Sequence, residues 1–99
     1  MKLTGKQKRA LRALAHHLKP VVLVGAGGLS ASVVTKVQTE LENHELIKVK
    51  VSQDAPLSAK DAAEDLNEHA SAHVVRTIGR MVVLYKARKK EPTIVLPTA

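Results

Sequence analysis

The sequence has 99 residues, enough for one domain and too few for several. Sixteen Lys and Arg stand against nine Asp and Glu, a net charge of +7 that favours an anionic partner, and the absence of cysteine excludes thiolate zinc sites, iron–sulfur clusters and disulfides. Because no apolar stretch approaches the roughly 20 residues of a membrane helix, we expect a cytoplasmic protein without a membrane partner.

The first predicted element is a helix that begins at Thr4. Thr4 and Gln7 have the spacing of a capping box. Pro20 disfavours a helical conformation for the residue before it, so the helix is predicted to end near Leu18. Two faces follow from the helical period. The apolar stripe is Gln7, Leu11, Leu14 and Leu18, flanked by Ala10 and Ala15, and the basic stripe is Arg9, Arg12, His16 and Lys19.

The next segment predicts a strand, a glycine turn, a second helix and another strand. Residues 21–24 are a continuous apolar run, which is typical of a central strand covered on both faces. After the glycines, Ser30 is the predicted N-cap of a helix that closes near residues 43–44. Residues 47–51 alternate with period two, so Lys48 and Lys50 are predicted to point away from the core and to make one sheet face basic.

The last third predicts a third helix and a hairpin. Ser58 caps a helix with an acidic outer face, and its inner face consists of Ala62, Ala63, Leu66 and Ala70. Residues 74–78 and 81–85 flank Gly79-Arg80, which fits a two-residue hairpin turn. From Ala87 onward we expect a basic tail, with residues 93–96 as a candidate for a further strand. The order αβαβαββ predicts a single α/β domain over residues 1–97.

The glycine turn, Gly25-Ala26-Gly27-Gly28, is the strongest candidate for a binding site. It joins a strand to a helix N-terminus, where free amides and the helix dipole favour phosphate. A phosphate-binding P-loop is excluded because its lysine is missing. A dinucleotide site remains an alternative, because Gly25 and Gly27 match its fingerprint, although Ser30 occupies the third glycine position and only Asp54 is a candidate for the ribose contact.

The charges are unevenly distributed along the chain. Residues 1–39 contain seven basic residues and no acid, residues 54–68 contain five acids and one lysine, and residues 76–91 contain six basic residues and one acid. We expect a basic side that meets a polyanion and an acidic side formed by the third helix. The acidic helix leaves a second alternative open, a protein-binding adaptor.

Catalysis and metal binding have weak support. Glu64 and Glu68 share the open acidic helix face, and no nucleophile and base are paired in the sequence. His69 and His73 are four residues apart but lack the His-Glu-x-x-His pattern of a zinc helix. We therefore predict that the protein is not an enzyme and holds no metal or cofactor.

Five stretches together resemble one family. They are LTGKQK (3–8), LKPVV (18–22), VGAGGL (24–29), HELIKVKV (44–51) and IGR (78–80) with VLY (83–85). In this order they resemble the CRM domain, the chloroplast RNA splicing and ribosome maturation domain, in its stand-alone bacterial YhbY-type form. The resemblance implies a four-stranded mixed sheet with three helices, similar to the C-terminal domain of translation initiation factor three. It also implies RNA binding without catalysis, on precursors of the large ribosomal subunit.

By that resemblance the glycine turn is a GxxG loop, analogous to the loop with which KH domains clamp a nucleic-acid backbone. The predicted RNA contacts are Gly25, Ala26, Gly27 and Gly28 in the loop, Lys6, Arg9, Arg12 and Lys19 on the first helix, and Lys48, Lys50, Arg80 and Lys86 as a second track. With Tyr85 as the single aromatic residue, stacking of several bases is not expected. We expect a monomer that recognises the shape and backbone of structured RNA.

Overall fold

A computed structural model describes residues 2–98 as three helices and four strands. In chain order the elements are α1 (Gly5–Ala15), β1 (Pro20–Val24), α2 (Ala31–His44), β2 (Leu46–Val51), α3 (Ala59–His69), β3 (His73–Ile78) and β4 (Met81–Tyr85). The predicted α/β class and the order αβαβαββ are confirmed. Within residues 2–98 no helix is long and apolar enough to cross a membrane.

The three helix starts have the predicted caps. The Thr4 hydroxyl accepts the Gln7 N–H at 3.1 Å and the Gln7 side chain accepts the Thr4 N–H at 3.0 Å, which completes the capping box. Ser30 and Ser58 accept the third backbone N–H of α2 and α3 in the same way. These local bonds satisfy donors that a helix leaves free, so they fix where each helix begins.

The strands form one mixed sheet in the order β1-β2-β4-β3. β1 and β2 are parallel, and the other two pairs are antiparallel. The prediction that β1 is a central strand is wrong, because β1 lies at the sheet edge. Its continuous apolar run is typical of a strand that is buried on both faces, but only Val22 and Val24 are buried, and Leu23 between them is 59% exposed. The sheet has four strands, and β4 runs antiparallel to the other three, so this is not the doubly wound sheet of a dinucleotide-binding fold.

The main core lies between one face of the sheet and the helices α2 and α3. The predicted inward residues of β2 (Ile47, Val49 and Val51) and the predicted inner face of α3 (Ala62, Ala63, Leu66 and Ala70) are buried there, together with Val37 and Leu41 of α2. The acidic residues of α3 are exposed on its outer side, as predicted.

A second core lies on the opposite face of the sheet, under α1. Its buried members are Leu3, Leu11, Ala15, Leu46, Val75, Val83 and Tyr85. The burial of Leu11 and Ala15 agrees with the predicted apolar side of α1, but Leu14, a predicted member of the stripe, is 52% exposed. The predicted end of α1 near Leu18 is also wrong: the helix ends at Ala15, and the chain must turn there to reach β1, with the Leu18 N–H donating to the Ala15 carbonyl at 3.0 Å.

The tail, residues 86–98, forms no strand, so the predicted strand at residues 93–96 is wrong. Instead Ile94 and Leu96 pack against the second core, and the Gln7 side chain donates to the Pro97 carbonyl at 3.1 Å. The tail is therefore held to the domain by side-chain contacts and by bonds to single groups, not by a sheet ladder.

The carboxylate of Glu45 is the main anchor of the tail. Glu45 is fully buried and follows α2 with φ of 63°. One carboxylate oxygen accepts the Arg88 N–H at 3.0 Å, and the other accepts the N–H groups of Thr93 at 2.6 Å and Ile94 at 3.1 Å and the Thr93 hydroxyl at 2.7 Å. Burial alone would raise the pKa of Glu45, but these hydrogen bonds outweigh it and lower the pKa to about 2. We call this arrangement the Glu45 clasp.

Candidate nucleic-acid interface

One end of the sheet brings together three connecting segments, and we call it the loop end. Because β1 and β2 are parallel, their last residues meet there, and the Ser52 N–H donates to the Val24 carbonyl at 2.9 Å. The hairpin turn between β3 and β4 lies at the same end, since the Val51 N–H donates to the Arg80 carbonyl at 2.8 Å. The glycine loop, residues 25–28, and the turn containing Arg80 therefore lie at the same end of the sheet, on either side of the end of β2.

The four residues of the glycine loop have different environments. Gly28 is buried, has φ of +67°, and donates its N–H to the Gly25 carbonyl at 2.9 Å. A Cβ at Gly28 would lie 3.1 Å from the Pro56 side chain, so glycine is needed there for the turn itself. Ala26 and Gly27 are exposed, and within residues 2–98 their N–H groups make no backbone hydrogen bond. The free donors of the loop are thus at its tip.

The helix that follows the loop adds positive potential. Ser30 caps α2, and the first turn of α2 contains no acidic residue, whereas the first turn of α3 contains Asp61. The positive end of the α2 dipole is therefore not offset by a carboxylate of its own. Together with the free donors of Ala26 and Gly27, this end of the molecule is suited to an anion.

Two rows of side chains run across the sheet on the α1 side. Val83 of β4 pairs with Lys48 on one side and with Arg76 on the other, so these three residues share one row. The last row before the loop end contains Leu23, Lys50, Met81 and Ile78, one residue from each strand. Directly opposed residues point to the same face, so both rows project toward α1 and the open sheet beside it.

Where α1 leaves the sheet, the first row and the helix enclose a shallow hollow of about 160 Å³, which we call the basic hollow. Its lining is Arg12, Ala15, His16, Lys48, Arg76, Ile78 and Val83. Three permanent cations from a helix and two strands that are distant in sequence thus surround one apolar floor. This convergence is a property of the tertiary fold.

The cations around the basic hollow have no acidic partner in the protein. Among residues 2–98 the one contact with the geometry of an ion pair joins His44 Nε2 and a Glu40 carboxylate oxygen, at 3.4 Å on α2, and it involves no Lys or Arg. Arg12 and Arg76 are exposed and Lys48 is half-buried, so their charges face solvent. Unpaired like charges around one hollow produce a positive potential that attracts a polyanion.

The other predicted basic residues are spread more widely. Arg9 and Lys6 are exposed on successive turns of α1, so a backbone bound at Arg12 could continue along them. Lys50 lies in the last row and Arg80 at the loop end. Lys19 is not in helical register with Arg12, because α1 ends at Ala15, and it lines a different groove. Lys86 lies at the opposite end of the sheet, where its N–H donates to the Glu45 carbonyl at 2.8 Å.

Three larger clefts lie outside this surface. One of about 440 Å³, between α2 and α3, has Asp65 and no Lys or Arg in its lining. The other two contain lysines. One, of about 380 Å³, brings Lys2, Lys8 and Lys60 together with Glu64 at the β3 edge. The other, of about 420 Å³, is mainly apolar and contains Leu14, Leu18 and Lys19. Neither continues into the glycine loop, and the first contains an acid. Within residues 2–98 no three or more His, Asp or Glu side chains are grouped as a metal site.

Arg76 and His16 were not among the predicted contacts, although both line the basic hollow. For Arg76 a signal exists in the sequence. Counting outward from the two-residue turn at Gly79-Arg80 pairs Ile78 with Met81 and Arg76 with Val83, as observed. That register alone places Arg76 on the Val83 face of the sheet.

Comparison with known proteins gives a consistent family. Residues 3–86 match the model of the CRS1 / YhbY (CRM) domain. The chain is 45% identical to the probable RNA-binding protein YqeI of Bacillus subtilis, over 96% of this chain and 99% of that one. It is 40% identical to an RNA-binding protein of Haemophilus influenzae, over 96% and 95%. The solution structure of a hypothetical Staphylococcus aureus protein, for which RNA binding was suggested, matches with a TM-score of 0.81 and 43% identity over 96% and 99%.

Proposed function

The chain belongs to the CRS1 / YhbY (CRM) domain family, and from that membership we propose that it binds structured RNA through the loop end and the basic hollow. The observation that carries the proposal is the convergence of Arg12, Lys48 and Arg76, without acidic partners, around one hollow on the α1 side of the sheet. The names of the relatives in Bacillus subtilis and Haemophilus influenzae support RNA binding.

In the proposed complex, Arg12, Lys48 and Arg76 neutralise neighbouring phosphates and release the cations condensed on them. The free N–H groups of Ala26 and Gly27 approach a further phosphate at the loop end, where no β-carbon of Gly27 intervenes. Arg9 and Lys6 extend the contact along α1. Because these groups read phosphate positions, they favour an RNA shape over a base sequence.

The proposed target is ribosomal RNA of the large subunit during its assembly, bound by a monomer in the cytoplasm. This rests on the CRM resemblance. An adaptor function is the second candidate, because Asp61, Glu64, Asp65 and Glu68 form an exposed acidic face on α3, remote from the basic hollow. The two functions differ in one respect: an RNA binder needs only protein-free RNA, whereas an adaptor needs the assembled particle.

The direct test is a salt titration of binding to a protein-free transcript of large-subunit ribosomal RNA. The variant carries Arg12→Gln, Lys48→Gln and Arg76→Gln. We expect its affinity to fall by about 100-fold at low salt. The slope of log affinity against log salt concentration should become less negative by about 2 to 3, because each lost phosphate contact changes this slope by about 0.7 to 0.9.

A matched control carries Lys36→Gln, Lys89→Gln and Lys90→Gln, three exposed lysines away from the hollow. It has the same net charge as the test variant, so an equal loss in both would mean that net charge and not the hollow binds RNA. For the ribosomal target, sedimentation of lysate at low and high salt should place the protein with large-subunit precursors at low salt only. A protein that stays at the top of every gradient would contradict that target.

A further inference from the structure

We propose that the basic hollow takes a single unpaired nucleotide of the bound RNA, with the base on its apolar floor and the phosphate among its cations. This inference rests on the proposed function and makes it more specific. A positively charged surface alone attracts any polyanion, whereas a surface with this nucleotide site selects structured RNA that has a bulged or looped-out nucleotide.

The chemistry of the lining matches the two parts of a nucleotide. Ala15 and Val83 are buried and form the floor, and Ile78, which is 53% exposed, forms an apolar wall. Arg12, Lys48 and Arg76 surround this apolar surface. A base has flat, weakly hydrated faces and is attached to an anion, so it meets both surfaces at once. The phosphates on both sides of the nucleotide belong to the same strand, so RNA can meet several of the three cations, whereas a peptide with one acidic residue meets one.

The last row of the sheet extends the apolar surface toward the glycine loop. Leu23 and Ile78 lie at the two ends of this row and are 59% and 53% exposed, although both are in regular strands. Met81 and Lys50 lie between them, so the row presents three apolar side chains and one cation to solvent on one face of the sheet. Because Leu23 is two residues from Gly25, an RNA backbone that places a base in the hollow can continue along this row to the free N–H groups of the loop.

The hollow is accessible only to an unpaired nucleotide. In an A-form duplex the base faces are stacked, and the major groove is too deep and narrow for a protein surface to enter. The hollow of about 160 Å³ is shallow and closed on one side by α1, so it has no room for a helix. A nucleotide that has left the stack can present its base face to Ile78 and Val83.

The test compares two RNA hairpins with the same stem, one fully paired and one with a single bulged uridine. We expect the protein to bind the bulged hairpin about fivefold tighter, since burying roughly 40 Å² of apolar surface contributes a factor of this size. Ile78→Ser should remove the preference. Ile78→Met, which keeps an apolar side chain, should restore it.

Leu14→Ser is the matched control, because Leu14 is exposed to the same extent as Ile78, at 52%, but lies in the separate apolar groove. Its preference for the bulged hairpin should equal that of the unchanged protein. Equal binding of both hairpins by the unchanged protein would overturn this inference and leave the proposed function standing. A preference that survives Ile78→Ser would also overturn it. Failure to bind either hairpin would instead contradict the proposed function.

Discussion

The two ends of the sheet use the same kind of backbone donor in opposite ways. In the Glu45 clasp, the N–H groups of Arg88, Thr93 and Ile94 converge on a carboxylate that the chain itself supplies. At the loop end, the N–H groups of Ala26 and Gly27 meet no acceptor within residues 2–98. One end binds an internal anion and stabilises the fold. The other is left open for an external anion.

The side-chain charges follow the same division. The buried carboxylate of Glu45 is satisfied by four donors, so its charge is stable inside the protein. Around the basic hollow Arg12, Lys48 and Arg76 repel one another and have no internal partner. Such unpaired charges lower stability slightly and are a known cost of binding sites. Substitutions should therefore separate stability from RNA binding according to the end they affect.

The largest expected effect is on stability, from Glu45→Ala. The substitution leaves three backbone donors and the Thr93 hydroxyl without their acceptor and loosens the tail over the second core. We expect the free energy of unfolding, measured by urea denaturation, to fall by about 3 kcal/mol. RNA affinity of the folded variant should be unchanged, because the clasp is remote from the basic hollow.

Thr93→Val provides the control for this effect. It removes one hydroxyl bond to Glu45 and should cost about 1 kcal/mol. In the Glu45→Ala background, Thr93→Val should leave the free energy of unfolding almost unchanged, because the carboxylate that accepts the hydroxyl bond is already absent. Additive losses in the double variant would show that Glu45 does not act through the tail.

The second prediction concerns pH. Glu45 has a pKa of about 2 in the folded protein and 4.5 as its ordinary value. Above pH 4.5 its full contribution to stability is present. As the pH falls from 4.5 to about 2 the unfolded chain takes up the proton first, so the contribution is lost. Unfolding free energies of the unchanged protein and of Glu45→Gln, measured across this range, should therefore converge. A constant difference would contradict the low pKa.

The third prediction compares one cation from each end. Arg80 lies in the turn at the loop end, and Lys86 lies beside the Glu45 clasp. Arg80→Glu should weaken RNA binding by about tenfold, since it places a negative charge at the loop end. Lys86→Glu makes the same change in charge and should weaken binding less than twofold. If the two substitutions weaken binding equally in a filter-binding or fluorescence titration, the RNA interface covers both ends of the sheet.

Local sequence patterns were sufficient to predict the element order and the helix caps. A cap is a contact between residues three apart, so Thr4, Ser30 and Ser58 could be read directly from the sequence. The two-residue turn at Gly79-Arg80 was predictable for the same reason. These features depend on neighbours along the chain and not on the arrangement of the sheet.

The second core and the Glu45 clasp could not be predicted in this way. The positions of α1 and the tail over the sheet depend on contacts such as Leu11 with the sheet and Glu45 with Thr93, which are 48 residues apart in the second case. A buried Glu has no local signature, because charged residues are usually on the surface. The edge position of β1 also depends on strand order, which an apolar run does not specify. The basic hollow shares this origin, since its cations meet only after α1, β2 and β3 pack.

A smaller effect than that of Arg80→Glu is predicted at the tip of the glycine loop, and it tests whether the free donors there contact a phosphate. Gly27 has open space around its Cα and no positive φ, so a side chain is tolerated without strain. Gly27→Asp and Gly27→Asn have nearly the same shape and differ in charge. We expect Gly27→Asp to bind RNA about fivefold more weakly than Gly27→Asn, because its carboxylate competes for the space and the donors that a phosphate would use. Thermal unfolding should give the two variants the same midpoint. Equal affinities would mean that the loop tip is not in contact with RNA, and the comparison between the sheet ends would then rest on the side chains of the basic hollow alone.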